Sequence, residues 1–170
     1  PTPAALFAGG SFIGRSPDLL GAMSLDLLAV LIGAVVAILP VFARDILHVG
    51  PWGLGILRAS PAIGALIMSI YIARVPLGRN AGLKMFGGVA VYGIATVIFG
   101  LSTNFVASAV ALIVMGGADV VSVVVRQSLV QLRTPDDMRG RVSAVNSMFI
   151  SASNQLGDYR AGAVAAALGA

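Results

Sequence analysis

From Met85 to Ala118 the chain carries no charged residue. A helix of that length would run about 50 Å, against a bilayer hydrocarbon core of about 30 Å, so the run is too long for one crossing and too apolar for a water-facing surface. It must be divided, and Ser102-Thr103-Asn104 is the polar break that divides it. The run sets the class of the whole chain: helices in lipid, where every backbone group has to be satisfied within its own segment. Composition agrees, with 58% hydrophobic and 11% charged residues and a mean hydropathy of +0.95. A soluble domain carries roughly a quarter charged residues.

Working outward from that run gives an all-α integral membrane protein with about five spans. The first covers about 19–42 and begins after Ser16-Pro17-Asp18, a helix-start signal. The second covers about 52–73, follows the turn His48–Gly53, and contains Pro61, which is expected to kink it. Within it, Gly55 with Ala59 and Ser60 with Gly64 give the small-xxx-small spacing of closely packed helices. The third and fourth cover about 85–101 and 105–125, and the fifth about 142–170. Residues 1–18 precede them, with Leu6, Phe7, Gly10 and Ile13 at helical spacing; either an interfacial amphipathic helix or a linker fits that pattern. The chain opens on Pro1 with no signal-peptide pattern, so it is expected to be a piece of a longer polypeptide.

Charge sits in the gaps between spans. With the N-terminus inside, Arg15, Arg74, Arg79, Lys84, Arg133, Arg139 and Arg141 fall on the cytoplasmic face and only Arg44 falls outside. Seven against one is a positive-inside signal that sets the orientation. The same distribution accounts for the basic pI of about 10.4 as topological charge, without nucleic acid as a partner. Residues Thr134–Val142, TPDDMRGRV, form a cytoplasmic hinge in which Asp136, Arg139, Gly140 and Arg141 join two spans.

Two features carry chemistry. The last span places Ser143, Ser147, Ser151, Asn154 and Asp158 within an arc of about 80°, at 100° per residue. Such an arc turns away from lipid, either as hydrogen-bonding glue to another helix or as the wall of a water-lined pathway. The second feature is intramembrane charge. Asp119 stands about 21 Å into its helix, while Arg58 and Asp26 lie nearer the two surfaces. Arg126 follows Asp119 by one heptad on nearly the same face, where it either snorkels to the interface or pairs with the acid. Asp119 is a candidate proton acceptor or substrate contact, or a structural partner of Arg126 or Arg58.

Enzyme chemistry finds no footing. Cysteine is absent, His48 is the one histidine, and no HExxH, GxSxG or phosphate-binding loop occurs. No cofactor, metal site or catalytic residue is expected.

The segments LDLLAVLIGAVVAILPVFARDIL from Leu25, GADVVSVVVRQSLVQL from Gly117, TPDDMRGRVSAVNSMFISASNQLG from Thr134, and the loop RVPLGRNAGLK together resemble a major facilitator superfamily transporter of the enterobactin-exporter-like branch. The resemblance implies that the spans correspond to the seventh to eleventh of twelve helices, a partial C-terminal bundle, with Pro1–Arg15 ending the central cytoplasmic loop. In RVPLGRNAGLK, Gly78, Arg79, Gly82 and Lys84 echo the superfamily's loop motif, whose acidic residue is missing here. It also implies a bacterial inner-membrane exporter of small molecules coupled to protons, partnered by the lipid bilayer, a six-helix N-terminal bundle and a last helix. The alternative is a membrane module for packing or assembly that does not itself transport.

Overall fold

The computed structural model describes residues 35–75, 81–136 and 138–167, together with positions 11, 14, 17, 20, 21 and 24. Leu6, Phe7, Gly10, Ile13, Arg15, Asp26 and Arg79 lie outside the described residues. Every regular element among the described residues is helical: α1 Val35–Val41, continued by a π-helical turn Phe42–Ile46, then α2 Pro51–Arg74, α3 Ala81–Leu101, α4 Phe105–Arg133 and α5 Arg139–Ala167. The protein is an all-α membrane bundle.

The local sequence accounts for the boundaries. Pro40 lies in α1 and cannot donate to the helix ladder. Two residues later the chain loosens into the π segment, where Leu47 N–H donates to the Phe42 carbonyl at 3.0 Å. His48 then takes a left-handed φ of 51° and ends the segment, a position glycine usually fills. Gly50 caps α2, and Pro51 opens it at the one place where a missing N–H costs nothing. Trp52 is 88% exposed beside this turn, as suits an indole anchored at a membrane surface. α2 continues past Pro61, with the Ser60 hydroxyl donating to the Ile56 carbonyl at 2.8 Å.

The break at Ser102-Thr103-Asn104 falls between α3 and α4. Asn104 is the N-cap of α4, its Oδ1 accepting from Val106 N–H at 2.9 Å and Ala107 N–H at 3.2 Å. Ser108 Oγ donates to Ser102 Oγ at 3.1 Å and ties the turn to the helix.

α4 is the central element, packed against α2 on one side and α3 on the other. The main core lies toward its start, where Leu112 and Met115 meet Leu39, Phe42, Leu57 and Phe99. The Phe42 and Phe99 rings stack with centroids 4.4 Å apart. The α2–α4 seam is closed by glycine. A Cβ on Gly64 would run into the carbonyl of Ile113, and one on Gly116 into the carbonyl of Pro61, so the two backbones touch. Ser60 and Gly64 are therefore the buried small pair of α2, whereas Gly55 and Ala59, at the same spacing, are exposed. A second, smaller core of Val130 and Val142 joins the end of α4 to the start of α5.

Among the described residues, three helices are long and apolar enough to cross a membrane: Pro51–Arg74, Gly82–Leu101 and Phe105–Leu132. α5 matches α4 in length at 29 residues but does not join them, because Asn146, Ser147, Ser151, Ser153, Asn154 and Gln155 dilute its apolar surface. α4 also runs on to Arg133, beyond the expected end near residue 125. Arg126 and Gln127 do not stop it, since Val125, Arg126 and Val130 form a buried face that carries the helix past them.

Candidate transport pathway

Asp119 is the central residue of the 29-residue α4, equidistant from Phe105 and Arg133. At 1.5 Å per residue it stands about 21 Å from either end. The residues one and two turns before it, Met115 and Leu112, are sealed in the main core, yet Asp119 is exposed. The packing opens at this depth. Beyond it the helix closes again: Ser122 and Val125 are buried, and Arg126 is only 3% exposed, so its guanidinium does not reach out to the surface.

The contact of Val130 with Val142 sets the register of α4 against α5. One turn further into the bundle on each helix come Arg126 and Asn146, which places these two buried polar groups at the same level. Asn146 Oδ1 and Thr134 Oγ1 are buried with no hydrogen-bond partner among the described residues. The buried strip of α5 is Val142, Asn146, Ser153 and Gly157; Ser153 satisfies its hydroxyl internally, donating to the Phe149 carbonyl at 2.6 Å. Asn146 did not stand out in the sequence because it lies one position to the side of the serine arc. Its signal was its four-residue step from Val142.

The serine arc itself lies beside that strip. Ser143 is half-buried, and Ser147, Ser151 and Asn154 are exposed, so no described helix covers them. The backbone of Asp158 continues α5, and its side chain is outside the described residues. Arg58 is also exposed and is not brought alongside Asp119. It precedes Pro61 by three residues while Asp119 follows Gly116 by three, and Pro61 packs on Gly116 between parallel helices; the axial offset is about 9 Å.

At the hinge, Arg139 binds Asp136 through Nη2 at 2.7 Å and donates to the Gln131 carbonyl at 3.3 Å, so one guanidinium satisfies the open carbonyl end of α4 while starting α5. Gly140 and Arg141 are exposed beside it. Lys84 is exposed in the first turn of α3 and lines an apolar groove between α2, α3 and α4. Among the described residues no group of three or more His, Cys, Asp or Glu is gathered for a metal ion.

Residues 4–170 match the family of transmembrane secretion effectors. The chain is similar to the enterobactin exporter EntS of Escherichia coli O139:H28 (strain E24377A / ETEC), at 28% identity over 98% of this chain and 39% of that protein. It is equally similar, with the same identity and coverage, to the enterobactin exporter EntS of Shigella boydii serotype 18. The chain thus spans about two fifths of the length of the curated relatives it matches. No solved structure matches it.

Proposed function

Because the chain belongs to the transmembrane secretion effector family of the major facilitator superfamily, we propose that it forms part of a secondary active transporter that exports a small molecule across a bacterial inner membrane, using the proton gradient. The observation that carries this reading is Asp119: a carboxyl at the middle of an apolar span, exposed where the packing on either side of it is closed. A short acid at that depth is costly unless it meets water, a proton or a partner. The exposed Ser147, Ser151 and Asn154 supply a second polar wall, on a 29-residue helix that is not among the three described helices apolar enough to span a membrane.

In this reading, the polar faces of α4 and α5 line half of a pathway. The other half comes from a further six-helix bundle, and alternating access follows from one bundle rocking against the other around a midplane site. Asp119 takes up a proton in one orientation and releases it in the other. The buried Arg126 and Asn146 hold the inner end of the pathway, and the Asp136–Arg139 hinge fixes the two helices to each other. The cytoplasmic side is the one bearing the Arg74–Lys84 and Arg133–Arg141 loops. Asp26, Arg58 and Asp158 are further contacts in the same proposal, nearer its two mouths.

The test is Asp119→Asn in the full-length protein, measured as proton-driven efflux in everted membrane vesicles with insertion checked in parallel. The expected result is loss of proton-coupled transport with unchanged insertion. Wild-type efflux in Asp119→Asn would leave the acid a structural residue and remove the coupling proposal.

A further inference from the structure

The end of the bundle that carries the basic loop holds a groove that Asp119 itself does not line. It is a cavity of about 360 Å³ between α2, α3 and α4, within the range of about 300–1,000 Å³ typical of ligand sites. Its wall is apolar along its length, from Tyr71 and Val75 at the loop end to Val91 and Val114 inside. Lys84 is the one cation among the lining residues, and it stands at the mouth, in the first turn of α3. Gly87 keeps the groove open: a Cβ there would meet nothing within 4 Å. Beyond Val91 and Val114 the seam between α3 and α4 continues as a second apolar cleft as far as Ile98. From Lys84 to Ile98 the helix rises about 21 Å, more than the roughly 15 Å of one bilayer leaflet.

We infer that this groove is a binding site for an anionic phospholipid, with one acyl chain in the α3–α4 seam and the phosphate at Lys84. Charge selects the headgroup. Between Arg74 and Lys84 the sequence holds Arg74, Arg79 and Lys84 and no acid, and Arg74 and Lys84 are both exposed at this end of the bundle. A basic pocket between membrane helices, open to the bilayer on its apolar side, is the arrangement that retains acidic lipids. A zwitterionic lipid would fill the seam equally well but gain nothing net from the cations. The inference needs only that the bundle lies in a membrane, and it stands apart from the export proposal.

The experiment is native mass spectrometry of the purified full-length protein, titrated with phosphatidylglycerol and, separately, with phosphatidylcholine of the same acyl chains. The wild type should retain phosphatidylglycerol in preference, and Lys84→Gln should cut that preference about fivefold, the change expected for one basic residue at an acidic lipid surface. Gly87→Leu, whose Cβ would meet nothing within 4 Å, puts a side chain into the groove and should lower retention of both lipids. Equal retention of the two lipids by the wild type, or unchanged phosphatidylglycerol retention in Lys84→Gln, would overturn the site. So would retention unaffected by Gly87→Leu. Retention of neither lipid would also overturn it.

Discussion

The α2–α4 seam makes a stability prediction that can be worked from distances. In Gly64→Ala the added methyl would lie 2.7 Å from the Ile113 carbonyl carbon, where ordinary contact begins at 3.4 Å. Both partners are helix backbone, so no rotamer change relieves the overlap, and the helices must part by at least about 0.7 Å. A gap of about 0.5–1 Å forfeits a quarter to a half of each van der Waals contact across the seam. That places the cost near the upper end of overpacking, about 3 kcal/mol. Replacing a helical glycine by alanine returns about 1 kcal/mol of propensity, leaving a net loss of about 2 kcal/mol. Gly93→Ala is the matched control, because its methyl would meet nothing within 4 Å and only the propensity gain applies. The assay is reversible unfolding of the full-length protein in mixed micelles with increasing denaturing detergent. The reasoning is refuted if Gly64→Ala unfolds within about 0.5 kcal/mol of wild type, or if Gly93→Ala loses as much as Gly64→Ala.

Two further perturbations follow from the ends of α4. Asn104→Ala removes the acceptor of the Val106 and Ala107 amides and should cost about 1 kcal/mol in the same unfolding assay, with faster amide exchange confined to the first turn of α4. Arg139→Ala breaks an ion pair whose partners are half or more exposed, so its cost should stay below about 1 kcal/mol and shrink further in high salt.

What the sequence disclosed and what it withheld have separate physical causes. Ser102-Thr103-Asn104 was legible because a turn needs local hydrogen bonding, and Asn104 supplies it from within the turn. Helix type was legible from the apolar runs for the same reason: in lipid the backbone must satisfy itself locally. Which face of a helix meets which neighbour was not. Gly55 and Gly64 read alike by spacing, yet only Gly64 is buried, because burial depends on where α4 lies and not on α2 alone. Arg126 and Gln127 looked like a helix end, and α4 passes through them because a buried face with Val125 and Val130 outweighs the local polarity. On α5 the serine arc was visible as a pattern, while the neighbouring strip of Val142, Asn146, Ser153 and Gly157 that the bundle buries became evident only from the packing.

The central claim is that the polar face of α5 lines a water-filled pathway, and thiol accessibility tests it directly. The sequence contains no cysteine, so a single one introduced here reports without background once any in the rest of the full-length protein have been replaced. Ser151→Cys, on the exposed serine arc, and Ile98→Cys, on the apolar α3–α4 seam, are compared in native membranes with a membrane-impermeant, water-soluble maleimide. The pathway account predicts that Ser151→Cys is labelled, Ile98→Cys is not, and transported substrate slows the first reaction. A Ser151→Cys thiol as unreactive as that of Ile98→Cys would contradict it and make the arc a helix-packing surface.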